Sequence, residues 1–135
     1  MRLAAILVCL LAATACDESP TGPTVSLDTQ FTLAQGETAS VQGRSMKLRF
    51  ESVTGDSRCP ADAICITGGD AIVRLSATGD GGSLALELHT GDSSRASVTY
   101  GNVKVTLLEL QPYPFSSRSI APGDYRATLA VSVSR

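Results

Sequence analysis

Tyr125-Arg126-Ala127-Thr128-Leu129-Ala130-Val131-Ser132-Val133 alternates its side chains with period two. Successive residues of a strand point to opposite faces, so Tyr125, Ala127, Leu129, Val131 and Val133 share one side. Arg126, Thr128, Ala130 and Ser132 share the other, with Arg135 following at the end. One side is dry and the other wet, which is the pattern of a half-buried antiparallel strand. The same alternation recurs upstream. Met46, Leu48 and Phe50 alternate with Lys47, Arg49 and Glu51, and Leu84, Leu86 and Leu88 alternate with Ala85, Glu87 and His89.

Three more strands are expected over residues 71–77, 96–100 and 103–110. In the last, Val103, Val105 and Leu107 set one face before Leu108 and Leu110 shift the register, which predicts a bulge. Residues 30–33 and 38–41 are shorter candidates for edge strands. They flank Ala34-Gln35-Gly36-Glu37, a connection suited to a tight turn. Thr78-Gly79-Asp80-Gly81-Gly82 supplies residues that accept positive φ between two alternating runs, so a hairpin is expected there. Tyr100-Gly101-Asn102 gives a second tight connection, and Pro112, Pro114 and Pro122 fill a longer loop that cannot enter a central strand. Helix signals are nearly absent. Seven or eight short strands with regular turns predict an all-β fold, a single antiparallel β-sandwich or a small barrel. With three Phe, three Tyr and no Trp, its core must be built from Val, Leu, Ile and Ala.

At 135 residues and 43% hydrophobic side chains, the chain suits one domain. Its net charge of −2 is interspersed rather than blocked, which gives no electrostatic footprint for nucleic acid. Residues 1–15 read as an export signal, with Arg2 as the positive region and Leu3 through Leu11 as the apolar stretch. That stretch falls short of the roughly 20 residues a transmembrane helix needs. Its end, Leu11-Ala12-Ala13-Thr14-Ala15-Cys16, resembles a bacterial lipobox, although Ala13 stands where that motif usually has Leu. The resemblance implies diacylation of Cys16 and a membrane anchor; ordinary secretory cleavage after Ala15 is the alternative. Asp17, Glu18, Ser19, two prolines and Gly22 then form a polar stretch that suits a spacer, so residues 16–28 are expected to be a tether and 29–135 the domain.

Of four cysteines, Cys9 falls in the signal and Cys16 is the lipid candidate. Cys59 and Cys65 remain, and in an exported protein they are expected to pair. Zinc would need about four ligands, and His89 is the single histidine. Closing so short a loop contributes about 2 kcal/mol in the chain-entropy model.

These cysteines sit in Asp56-Ser57-Arg58-Cys59-Pro60-Ala61-Asp62-Ala63-Ile64-Cys65-Ile66-Thr67-Gly68-Gly69-Asp70-Ala71. The segment resembles a pattern in uncharacterised exported bacterial lipoproteins, where Asp-Ser-Arg-Cys-Pro precedes a second cysteine, commonly a Trp, and a Gly-Asp-Ala step into a strand. Thr67 stands where that pattern often has the Trp. The resemblance implies an exported β-rich domain and no known activity. Asp56, Arg58, Asp62 and Asp70 could present a charged recognition surface or a loose cation site. The alternative is structural: Asp and Ser start turns, Arg58 pairs with Asp56 or Asp70, and Gly68-Gly69 permits a bend. Tyr113 and Phe115 of the proline loop could anchor a partner, or instead cap the end of an aliphatic core.

Catalytic patterns are weak. A serine triad would have to use His89, with Asp92 close by in the chain, and residues adjacent along a loop rarely form one. His89 is expected to close an exposed strand face. Glu51, Glu87 and Glu109 sit on polar strand faces without neighbouring aromatics for a sugar, and no phosphate-cradling glycine loop leads into a helix. The chain is therefore expected to be no enzyme and to need no cofactor or metal. The expected role is an exported, lipid-anchored domain, facing periplasm or cell surface, that binds a protein partner in the envelope. A structural or assembly lipoprotein and an inhibitor of exported proteases are the alternatives.

Overall fold

A computed structural model describes residues 22–135, so the signal segment, Cys16 and the first part of the expected tether lie outside the described residues. Nine strands follow in chain order: β1 (Thr24–Val25), β2 (Gln30–Ala34), β3 (Thr38–Val41), β4 (Met46–Asp56), β5 (Ala71–Gly79), β6 (Gly82–His89), β7 (Ser97–Tyr100), β8 (Val103–Gln111) and β9 (Arg126–Val133). They form two sheets, ordered β1-β3-β4-β5-β6 and β2-β9-β8-β7. Every pairing is antiparallel except β1 with β3. The fold is the all-β sandwich that period-two alternation predicts, and not a closed barrel.

Two meanders, β4-β5-β6 and β7-β8-β9, lie in opposite sheets, and all their tight hairpins fall at one end. The β5–β6 turn pairs Gly79 with Gly82, and the β7–β8 turn pairs Tyr100 with Val103. Tyr100 Oη donates to the Gly82 carbonyl at 2.6 Å, and Arg44 Nη1 donates to Asn102 Oδ1 at 2.7 Å, so the sheets are clasped at this hairpin end. The long connections 57–70, 90–96 and 112–125 gather at the other end, called here the loop end.

Leu33, Leu48, Phe50, Leu75, Leu88, Leu110 and Leu129 are among the fully buried side chains between the layers. The bulge falls where the apolar register changes. Pairing of β8 with β9 shifts between Leu107 and Glu109, leaving Leu108 exposed while Leu107 and Leu110 face inward. β4 carries two further shifts, after Phe50 and after Val53, that its alternation does not reveal.

The structure corrects three expectations. Chain order begins earlier than residue 29, because Thr24 and Val25 pair with Ser40 and Val41 and Val25 is buried in the core. A two-residue strand inside a polar flank carries too little alternation to be noticed. Residues 34–37 make the expected tight turn, with Glu37 N–H donating to the Ala34 carbonyl at 3.0 Å, but of the two flanking strands only β2 is an edge: the turn carries the chain to the opposite sheet, where β3 lies between β1 and β4. Leu84 and Val133, expected on dry faces, are nearly half exposed, as both lie toward the hairpin end where the layers stop covering each other. Replacing Leu129 by Ala is expected to cost about 2–5 kcal/mol, and Leu84→Ala about 0.5 kcal/mol. Urea unfolding with an unchanged slope checks both.

A clasped loop end as candidate functional site

The β4–β5 connection continues its ladder past the strands. Ser57 N–H donates to the Asp70 carbonyl at 2.7 Å and Cys59 N–H to the Gly68 carbonyl at 2.8 Å. Gly69 makes this close return feasible: its φ is +69, and a Cβ there would lie 1.9 Å from the Ser57 carbonyl oxygen. The Cys59–Cys65 disulfide closes the tip.

Arg58 points inward rather than outward, with 8% of its surface exposed. Its Nε and Nη2 donate to the Asp56 carboxylate at 2.8 and 2.6 Å. Nη1 donates to the Leu110 carbonyl at 2.6 Å and Nη2 to the Pro112 carbonyl at 2.9 Å. The guanidinium also lies 5.4 Å from the Tyr113 ring centroid. Asp56 has an open backbone but a covered side chain, 12% exposed, which also accepts from Tyr125 Oη at 3.0 Å. An Arg fork suits this task because its planar donors serve several acceptors at once. Burial pushes the Asp56 carboxyl up, but the Arg58 hydrogen bonds and charge outweigh it and hold the group below 3.8. The Tyr125 hydroxyl is pushed up to about 12 by burial and by Asp56.

A second set of bonds joins the disulfide loop to the proline loop. Ala61 N–H donates to the Pro114 carbonyl at 2.9 Å. Asp62 Oδ1 accepts from the Ser116 N–H at 2.9 Å and from its hydroxyl at 3.1 Å. These bonds lower the Asp62 carboxyl from its ordinary value. Asp62, Tyr113 and Phe115 are thus exposed at one end of the sandwich, with Asp56 and Arg58 covered beneath them. Asp70 departs from this group. Its carboxylate accepts from His89 Nδ1 at 2.6 Å and from Gly91 N–H at 2.8 Å. Burial acts to raise the Asp70 carboxyl, and those bonds lower it on balance.

His89 is a correction, since its side chain is 4% exposed rather than closing an open face, with Nε2 3.3 Å from Glu87 Oε1. Its carboxylate partner is Asp70, not Asp92. Asp92 bonds Ser94 and Arg95 in a short helical turn, and those bonds bring it down to about 2. The three loop carboxylates Asp56, Asp62 and Asp70 therefore turn to three different partners and do not converge. Tyr113 and Phe115 are 49% and 44% exposed, so the core end is sealed by Tyr125 and Arg58 instead.

Sequence reasoning missed Ile64 and Ile66, which are fully exposed on either side of Cys65. A signal was present: apolar side chains inside or directly after a disulfide closed over a separation of six have no strand to carry them to a core. An open groove of about 510 Å³ runs beside this face, lined by Arg58, Gly68, His89, Leu108 and Tyr113 among others.

Removing Arg58 strands the covered Asp56 carboxylate, so Arg58→Ala is expected to cost about 3–5 kcal/mol by urea unfolding. Exchanging both Cys59 and Cys65 for Ser should cost about 2 kcal/mol and leave the fold intact by circular dichroism. The folded-state values of Asp56 and Asp70 lie below 3.8, so both stabilise the fold above that pH. Their contribution fades as the pH falls further through the lowered folded values. Asp56→Asn is expected to flatten this acid limb in urea midpoints measured from pH 6 down to about pH 2.

Comparison with known proteins found no family model, no curated protein and no solved structure that matches the chain.

Proposed function

We propose that the mature chain is a lipid-anchored binding domain of the bacterial envelope that works through its loop end and not by catalysis. One observation carries this reading. Ile64, Ile66, Tyr113 and Phe115 are exposed on two loops that Ala61, Asp62 and Arg58 bind into a single unit. Exposed apolar side chains gathered on a fixed scaffold are the usual mark of a contact surface. Their framework is already ordered, so association does not have to freeze a loose loop. The lipobox-like end at Cys16 supplies the anchor in this reading, and the residues before Gly22 the spacer.

Mass spectrometry of the mature protein is expected to show a diacylglycerol group on Cys16. A photo-crosslinking residue in place of Ile66 is expected to capture a component of native envelopes, lipid or protein, while the same residue in place of Asp80, at the hairpin end, captures none. Adducts at both positions alike, or at neither, would count against the loop end as the contact surface.

A further inference from the structure

The direction in which the chain enters the fold has a consequence for what the loop end faces. β1 runs parallel to β3, and Ser40 N–H donates to the Pro23 carbonyl at 3.0 Å, so the chain already lies alongside β3 before Thr24. Gly22 is seated against Thr38, where a Cβ would fall 1.6 Å from the Thr38 carbonyl oxygen. Thr38 pairs with Arg49 of β4, and from Arg49 that strand rises to Asp56 at the loop end. Followed backwards from Thr24, the chain therefore heads toward the disulfide loop and away from the hairpins. From Gly22 to Cys16 is six residues, which span at most about 20 Å. From Arg49 to Asp56 is seven residues of strand, a rise of about 20 Å. An anchor at Cys16 thus reaches the level of the loop end without reversal, whereas a bilayer at the hairpin end would require the chain to double back directly before Gly22.

We propose that the loop end lies against the bilayer that holds the anchor, with Ile64 and Ile66 entering the acyl boundary and Tyr113 and Phe115 at headgroup level. This rests on the anchor at Cys16. The chemistry of the face suits that occupant. Two branched aliphatic side chains stand fully in water at the tip of a loop whose residues 61–68 are all exposed. Tyr is enriched at membrane interfaces, where its ring meets apolar surface and its hydroxyl meets water, and Phe serves the apolar face of interfacial segments. Arg118 lies 5.9 Å from the Phe115 ring centroid, so a cation accompanies that aromatic to the headgroup layer. The carboxylates of the face carry partners of their own, Arg58 for Asp56 and Ser116 for Asp62. The two acyl chains of a diacylglycerol anchor already give stable attachment, so what the two aliphatic side chains add is a fixed orientation of the domain on the bilayer.

The chain has no Trp, so one introduced at position 66 reports that site alone. The full mature protein carrying Ile66→Trp, purified with its acyl group, is mixed with vesicles of phosphatidylethanolamine and phosphatidylcholine. The expected result is blue-shifted emission and loss of most of the intensity when the acyl chains are brominated. Asp80→Trp, at the hairpin end, is expected to keep its water-exposed emission and to escape quenching. An acylated protein whose Trp at position 66 stays wet overturns the proposal and leaves the anchor standing. A mature chain without acyl groups by mass spectrometry overturns the anchor and the proposal together. A Trp at position 66 that turns dry only when envelope proteins are added identifies a protein contact and overturns the bilayer as occupant.

Discussion

One guanidinium governs how the loop end closes. Arg58 lies just beyond β4 and bonds Asp56 of the same sheet, while two of its donors reach the Leu110 and Pro112 carbonyls at the end of β8 in the opposite sheet. Tyr125, just before β9, completes the clasp through Asp56. The interior of this sandwich is almost entirely aliphatic, and its layers stop short of covering the long connections. Apolar contact cannot fix the angle at which a loop leaves the core, because it is non-directional. Hydrogen bonds from a planar fork can. The backbone ladder beyond β4 and β5 sets the base of the disulfide loop, and Arg58 sets how that base meets the opposite sheet, while Ala61 and Asp62 carry the connection on to the proline loop.

Opposite ends of the molecule solve the same problem at different cost. At the hairpin end the turns are short, and Tyr100 and Arg44 tie them with single bonds to a carbonyl and an amide oxygen. Water-exposed bonds of this kind hold geometry and add little stability. At the loop end the pair is covered, and burying two charges carries a desolvation penalty that the pair only roughly offsets. An apolar pair of similar volume could be at least as stable there. What Arg58 adds is direction, because four of its five donors are aimed at fixed acceptors.

How much of this was legible in the sequence depends on range. Alternation over 46–51, 71–77 and 125–133 fixes strands because each residue's face is set by its neighbours two positions away. The bulge at Leu108 is legible for the same reason: two apolar residues in succession break a local rule. The pairing of Cys59 with Cys65 follows from counting. What the sequence hides is set by contacts between distant residues. Arg58 and Leu110 are 52 positions apart, Asp62 and Ser116 54, and Asp56 and Tyr125 69. Nothing local distinguishes an Arg that clasps two sheets from one that waits on a surface. His89 shows the same limit, since its place on a polar face gives no sign of the Asp70 carboxylate 19 residues earlier that covers it.

The residues that hold the loop end and those it displays form separate sets. Asp56, Arg58, Asp62 and Tyr125 are engaged with partners inside the fold, whereas Ile64 and Ile66 contribute nothing to its burial. An apolar side chain fully in water gives the folded state no transfer free energy, so stability alone supplies no reason for two isoleucines at this tip. Serine or threonine would serve a disulfide-closed turn as well and would keep the surface wet. The energy that could be gained there lies outside the chain, in whatever removes these side chains from water. For a domain whose N-terminal strand leads back toward this same end, the nearest apolar phase is the one that an acyl chain on Cys16 would already occupy.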